Sequence, residues 1–340
     1  AHWSKERSGK QRSEMIRFGV IGTNFITDRF LKAGECCGEF KLVAVYSRTM
    51  ERAKEYAQVH GAKYAFDTLE TLAECEEVDA VYVASPNACH AKQSILMMEH
   101  GKHVLCEKAV ASNSRELEEV LAAAEKAQVV FLEAVRQIYM PGFQAIQENL
   151  HKLGTIRRAS FSYCKYSSRY DNYKNGIIEN AFNPNLSNGS LMDIGVYGVH
   201  MLGAFFGMPE RIQSAGLKLS NGVDGEGTIL AEYAGMLAEV TYSKISDLNI
   251  PAQIQGENGT MLIEQMTEPV KLTIISRDGS EEVIELPETE PPMVHEIRKF
   301  AELAEAGTVN HKYLENSRIE MKIIDEARRQ QGIVFPADTQ

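Results

Sequence analysis

The segment His103-Val104-Leu105-Cys106-Glu107-Lys108 carries an acid and a lysine to the end of an apolar, strand-like run. Further along, Asp193-Ile194-Gly195-Val196-Tyr197 sets an acid and a phenol four residues apart, the spacing that brings two side chains to one face of a helix. Upstream of both, Gly19-Val20-Ile21-Gly22-Thr23-Asn24-Phe25-Ile26-Thr27 leads from a strand-like run into a helix-like one, as a dinucleotide-binding loop does. A lysine, a phenol and a dinucleotide loop are the groups that hydride transfer to a carbonyl needs. The cofactor supplies the hydride, and the cation and phenol manage the oxygen and its proton.

The loop departs from the usual glycine fingerprint. Aligned on Gly22, the second glycine position is Asn24 and the third is Thr27. Asparagine is tolerable there because it enters the left-handed region more readily than most residues. Gly22, Thr23, Asn24, Phe25 and Ile26 are the candidate contacts to a bound dinucleotide. At the end of the second strand, Ser47-Arg48 stands where proteins preferring NAD carry an acid for the ribose diol. A hydroxyl and a guanidinium suit a 2′-phosphate, so NADP is the expected cofactor and NAD stays possible. The plain alternative is that Arg48 is a solvated residue at a helix start.

The elements that must position these groups change character midway. Ile16–Ile21, Lys41–Tyr46, a short run at 64–66, Val78–Ala84, His103–Cys106 and Val129–Glu133 read as strands. Phe25–Ala33, Met50–His60, Ala88–His100 and Ser114–Gln128 read as helices between them. This alternation predicts an α/β unit, a doubly wound parallel sheet of the Rossmann type, over residues 15–136. From residue 137 to 340 the pattern predicts an α+β domain with a large, mainly antiparallel open sheet. Its strands are Ile156–Tyr166, Arg211–Leu219, Thr228–Tyr233, Leu237–Ser246, Gln253–Gly256, Thr260–Ile263, Lys271–Ser276 and Glu282–Leu286. Helices over Pro292–Ala306 and Glu315–Gln330 close the chain.

Composition narrows the partners. A formal charge of −11 speaks against nucleic acid or an anionic membrane as the main partner. No signal-like or membrane-length apolar run is visible, and residues 1–14 read as a disordered leader or tag, with the native start at Met15. The six cysteines show neither C-x-x-C nor a metal-like Cys/His spacing, so no metal is expected and a reduced, cytoplasmic protein is.

Gly22-Thr23-Asn24, Ser85-Pro86-Asn87-x-x-His90, Glu107-Lys108-Ala109, Glu133-Ala134 and Asp193-x-Gly195-x-Tyr197 follow one another in an order and spacing that resembles the Gfo/Idh/MocA oxidoreductases. The resemblance runs from Met15 to about Phe335. The form Asp-Ile-Gly-Val-Tyr is most similar to the dimeric dihydrodiol dehydrogenase and glucose–fructose oxidoreductase branch, whereas inositol dehydrogenases carry histidine at the place of Tyr197. The resemblance implies a Rossmann domain with NAD or NADP, and a C-terminal sheet domain for substrate binding and oligomerisation. It implies Lys108 as the donor to the reacting oxygen, Tyr197 as the proton carrier, and Asp193 as an orienting group. It also implies that Ser85, Pro86, Asn87, His90 and Glu107 line the cofactor side, Glu107 beside the nicotinamide ribose. Ala109 replaces the motif's proline, which removes a backbone constraint after the lysine.

Taken singly, a lysine at a strand end is more often a snorkelling surface residue and a helical tyrosine more often core packing. Jointly, in this order, they read as a site. His200, on the Asp193–Tyr197 face, stays open between substrate contact and a satisfied helix residue. Gly195 and Gly198 leave bare backbone for a close approach by cofactor or substrate. The expected reaction is hydride exchange with a secondary alcohol or ketone of a sugar, polyol or cyclic diol. A non-catalytic nucleotide-sensing regulator and an NAD-dependent glycoside hydrolase are the alternatives. A homodimer or tetramer through the C-terminal sheet is expected, because a sheet with helices on one face leaves the other to be solvated or paired.

Overall fold

Short apolar strands buried on both sides need helices over each face, and the first part of the chain builds that layering. The structure is a computed structural model describing residues 15–340; the segment read as a leader, 1–14, lies outside the described residues. In chain order come β1 (Ile16–Ile21), α1 (Phe25–Cys37), β2 (Phe40–Tyr46), α2 (Met50–His60), β3 (Tyr64–Phe66), α3 (Leu69–Glu74), β4 (Ala80–Val83), α4 (Asn87–Glu99), β5 (His103–Glu107), α5 (Ser114–Ala127) and β6 (Phe131–Ala134). The strands form a sheet of order β3-β2-β1-β4-β5-β6 with every pair parallel. The strand order reverses between β1 and β4, and ligands of such sheets sit outside the strand ends at that reversal. Gly22 follows β1, Ser85 follows β4, and Lys108 follows β5.

An aromatic core fixes this sheet against its helices. Phe30 of α1 stacks on Tyr82 of β4 at 3.7 Å, and Phe18 of β1 meets Phe40 at 4.9 Å. Phe300, from the late helix Val294–Ala306, packs on Phe18 at 5.6 Å. Accordingly the chain divides into two interleaved compact units. One holds the described residues up to Ala111, Arg115–Ala134 and Glu290–Leu314, and the other Ser112–Ser114, Val135–Thr289 and Glu315–Gln340.

The second unit opens with α6 (Pro141–Asn149), β7 (Ile156–Ser160), β8 (Tyr163–Cys164), α7 (Ser168–Lys174) and α8 (Val196–Phe206). Then come β9 (Arg211–Lys218), β10 (Asp224–Tyr233), β11 (Met236–Ser243), β12 (Ala252–Gly256), β13 (Gly259–Glu264), β14 (Lys271–Ser276) and β15 (Glu281–Glu285). Among the described residues, eight of these strands run in the order β15-β14-β13-β12-β7-β11-β10-β9, with β8 beside β11 as the ninth. Pairing is antiparallel except where β11 meets β7 and β8. The expected strand Ile156–Tyr166 is thus two strands. The break falls where α8 passes: a Cβ on Gly198 would lie 2.4 Å from the Phe161 carbonyl oxygen, while the Phe161 N–H still bonds to Glu239. Three helices that the sequence reading left as connections, α3, α6 and α7, are short. Among the described residues, no helix is long and apolar enough to cross a membrane.

Candidate active site

The nucleotide loop depends on one glycine. Gly22 has φ of +105°, and a Cβ there would lie 2.5 Å from the Ala84 carbonyl oxygen, so no other residue fits this crossing of the β1 and β4 exits. Asn24 plays another part than the one expected. It is extended, with φ of −108°, and it caps α1: its Oδ1 accepts from the Ile26 and Thr27 N–H groups at 3.1 and 3.4 Å. Its Nδ2 donates to the Ala84 carbonyl at 2.9 Å, stitching the β1 exit to the β4 exit. The second glycine position therefore needs a cap and not a left-handed backbone. At the third, the buried Thr27 hydroxyl donates to the Gly22 carbonyl at 2.9 Å and ties the turn shut. Beside the positive end of the α1 dipole, Phe25 is 59% exposed.

A second guanidinium, absent from the sequence reading, joins this corner. Arg52 in the first turn of α2 donates from Nε to the Thr23 hydroxyl at 3.2 Å and from Nη2 to the Thr23 carbonyl at 3.0 Å, while Glu55 accepts from its Nη1. Thr49 caps α2, Ser47 is half-buried with its N–H donating to Phe66, and Arg48 is exposed. The signal was present: Arg48 and Arg52 are four apart across a helix start. Two guanidiniums and a hydroxyl suit a phosphate monoester, and the Gly22 turn with the α1 N-terminus suits a pyrophosphate, so the corner fits NADP.

The exits of β4 and β5 are tied together by His90. It is 1% exposed, with Nδ1 2.7 Å from the Ala109 carbonyl oxygen and Nε2 2.7 Å from that of Ser85. Burial pushes this imidazole down to about 4, against the pull of both carbonyls. What His90 offers is the placing of two loops. Ser85 donates its hydroxyl to Gln93 at 2.5 Å, Pro86 precedes α4, and Asn87 is buried in the first turn of α4. Glu107 is buried and held from two sides. Its Oε1 accepts from the Tyr82 hydroxyl at 2.5 Å and its Oε2 from the Lys108 N–H at 3.3 Å. Burial, and next the Glu107 charge, push the Tyr82 phenol well above its ordinary value, so it remains a donor to that carboxylate. Lys108, half-buried, follows directly, and the Lys108–Ala109 peptide is cis.

In the second unit, Asp193 and Tyr197 do not share one regular helix. Leu191–Gly195 is a π turn that runs into α8, a wider winding that shifts the expected i, i+4 face. The carboxylate of Asp224, itself pushed up to about 6 by burial, accepts from the Leu191 N–H at 2.7 Å and fixes the start of that turn. Asp193, Tyr197 and His200 then take three different partners. Asp193 is ion-paired with Lys244, which is 5% exposed. Tyr197, 7% exposed, accepts from Arg136 Nη1 at 2.9 Å. His200 lies with Nδ1 2.9 Å from Glu320, both buried. The glycines of this segment also serve another end than the one expected. A Cβ on Gly195 would strike the Tyr242 ring at 2.9 Å and one on Gly198 the Phe161 carbonyl, so the bare backbone admits the sheet.

Lys244 and Arg136 were missed by sequence reasoning. Lys244 extends the inward alternation Ala238, Val240, Tyr242 by one charged step, a visible irregularity. Arg136 stands two residues past β6, where parallel sheets place ligand contacts.

Comparison with known proteins gives the family of the chain. The model of an oxidoreductase family with an NAD-binding Rossmann fold, Gfo/Idh/MocA, matches residues 16–135, and that of the Gfo/Idh/MocA C-terminal domain matches residues 144–262. The chain is 48% identical over 326 residues to scyllo-inositol 2-dehydrogenase (NADP(+)) IolU of Bacillus subtilis, covering 95% of this chain and 99% of that protein. It is 29% identical over 348 residues to trans-1,2-dihydrobenzene-1,2-diol dehydrogenase of Danio rerio, covering 96% and 99%. An inositol dehydrogenase is thus more similar overall than this dihydrodiol dehydrogenase, whose branch the Asp193–Tyr197 motif resembles. The fold is that of KijD10, a 3-ketoreductase from Actinomadura kijaniata, with a TM-score of 0.84 at 23% identity over 95% of this chain and 99% of that one. With both domain models matched and a near full-length relative at 48% identity, the chain belongs to the Gfo/Idh/MocA family of oxidoreductases.

Proposed function

We propose that this protein is an NADP-dependent oxidoreductase that interconverts a secondary alcohol and a ketone on a ring polyol of the inositol class. The cofactor half of the reading is carried by one observation, the Arg52 guanidinium bonded across Thr23, four residues after Arg48 in the chain. The substrate half is supported by the full-length relative that is named as an NADP-dependent scyllo-inositol dehydrogenase. When bound, NADP would supply the hydride acceptor for oxidation of a carbinol carbon, and NADPH the hydride donor for reduction.

The chain's own residues do the rest. Gly22, Thr23, Asn24, Phe25 and Ile26 shape the pyrophosphate side, and Ser47, Arg48 and Arg52 take the 2′-phosphate. Ser85, Pro86, Asn87 and Glu107 form the nicotinamide side, with His90 holding their loops. Lys108 donates to the reacting oxygen and stabilises charge there. Tyr197 carries the proton, and Asp193, steadied by Lys244, orients a neighbouring hydroxyl.

Calorimetric titration tests the cofactor half. NADP+ should bind more tightly than NAD+, and Arg48→Asp should reverse the order, because a charge-assisted phosphate contact is worth roughly 1.5–3 kcal/mol, about ten- to a hundredfold. Equal affinities that the substitution leaves unchanged would remove the 2′-phosphate assignment.

We also infer a cytoplasmic homo-oligomer. The six cysteines are free thiols, as a reducing compartment keeps them. On the nine-stranded sheet, Leu237 is 41% and Val283 50% exposed, apolar surface that a second sheet would cover. Light scattering at micromolar concentration should report at least two chains per particle; a single-chain particle contradicts the pairing.

A further inference from the structure

We infer that Arg136 is a positioning residue that sets the direction of the Tyr197 proton. The inference rests on Tyr197 as the proton carrier. Arg136 donates from Nη1 to the Tyr197 hydroxyl oxygen at 2.9 Å. A guanidinium has five donor hydrogens, no acceptor and no proton it gives up near neutral pH. The phenol oxygen must therefore accept on the Arg136 side, and its own hydrogen must point away from Arg136.

Two further contacts hold the guanidinium in place. Its Nε donates to Glu268 Oε1 at 3.0 Å, and its carbon lies 5.2 Å from the centre of the Tyr197 ring. The Arg136 side chain is 14% exposed and that of Glu268 24%, so water competes little for this pair. In addition, Gln137, the next residue, donates to the Tyr197 backbone carbonyl at 3.2 Å. Neighbouring residues thus grip both the phenol and the main chain of Tyr197.

In the reductive direction, the Tyr197 O–H bond breaks as an O–H bond forms on the substrate oxygen, and the electron pair stays on the phenolate. That phenolate already faces a guanidinium hydrogen, and solvent returns the proton. NADPH supplies the hydride, so protons and electrons balance. In the oxidative direction the same oxygen accepts the substrate's proton with Arg136 already in place.

The test is a double-mutant cycle on NADP+-dependent oxidation of scyllo-inositol, with parent, Arg136→Met, Tyr197→Phe and the double variant. Arg136→Met should lower kcat by up to about a hundredfold, the scale of a misplaced reacting group, with KM changed no more than a few-fold. Added to Tyr197→Phe it should cost little more, and Arg136→Lys, which keeps a cationic donor, should recover most of the loss. Equal losses in both backgrounds, or a change in KM alone, overturn the inference while leaving Tyr197 as proton carrier. Full activity in Tyr197→Phe overturns both. Should Arg136→Met fail to fold, Glu268→Gln replaces it in the cycle, and a loss that persists in the Tyr197→Phe background overturns the inference. A readout without turnover is the ring Cζ resonance of Tyr197, assigned by its absence in Tyr197→Phe. It should move in Arg136→Met and return in Arg136→Lys; an unmoved resonance overturns the inference.

Discussion

Replacing Lys108 with methionine should lower kcat by roughly two to three orders of magnitude, because a charged donor to a developing alkoxide is worth about 3–4 kcal/mol. Methionine keeps the unbranched apolar stem of the side chain, one atom shorter, but has no hydrogen to donate. The surrounding loop has main-chain and side-chain holds besides the ammonium. Glu107 is held by the Tyr82 hydroxyl and by the Lys108 main-chain N–H, and His90 holds the Ala109 carbonyl. NADP affinity should therefore stay within a few-fold of the parent, since the residues proposed for the pyrophosphate and the 2′-phosphate lie at the β1 and β2 exits. Steady-state kinetics beside calorimetry separates the two effects. A variant that lost nucleotide binding and turnover in parallel would place Lys108 among the cofactor contacts alone.

Tyr197→Phe should cost about a hundredfold or more in kcat, the usual scale for losing a general acid or base. The ring survives the change: it packs edge-on to Tyr163 at 6.0 Å and lies under Arg136. Only the hydroxyl is removed, and Arg136 retains Glu268 as a partner. Folding stability should change little for that reason, and thermal unfolding measured beside kcat checks that the loss is chemical. A Tyr197→Phe enzyme as active as its parent would move the proton to another group.

Much of this was legible in the sequence, for identifiable physical reasons. Alternating short apolar runs and amphipathic segments dictate a parallel sheet covered on both faces, and period-two runs with Gly turns dictate an antiparallel one. β1, α2 and β14 lie where the alternation puts them because each is bounded by a strong breaker or cap. What stayed hidden depends on partners distant in sequence. Arg52 meets Thr23, Arg136 meets Tyr197 and Lys244 meets Asp193 only once strands and helices are packed. Local preference misled in two places. Asn24 read as a residue tolerated in the left-handed region, yet its carboxamide caps α1 and bonds Ala84. Gly195 and Gly198 read as openings for a ligand, yet they make room for Tyr242 and Phe161. A missing side chain marks a close approach without saying what approaches. Likewise, the motif marked His90 without disclosing that both ring nitrogens face main-chain carbonyls.

The oxidoreductase activity is tested by NADPH formation when scyllo-inositol is added to the protein with NADP+, run in parallel with the Lys108→Met variant at matched nucleotide occupancy. The parent should form NADPH, faster than it forms NADH from NAD+. The variant should bind NADP+ but turn over roughly a hundredfold or more slowly. A parent that binds NADP+ yet oxidises none of a panel of inositols and other ring polyols would overturn the ring-polyol assignment, and a Lys108→Met variant as fast as its parent would overturn the role of Lys108.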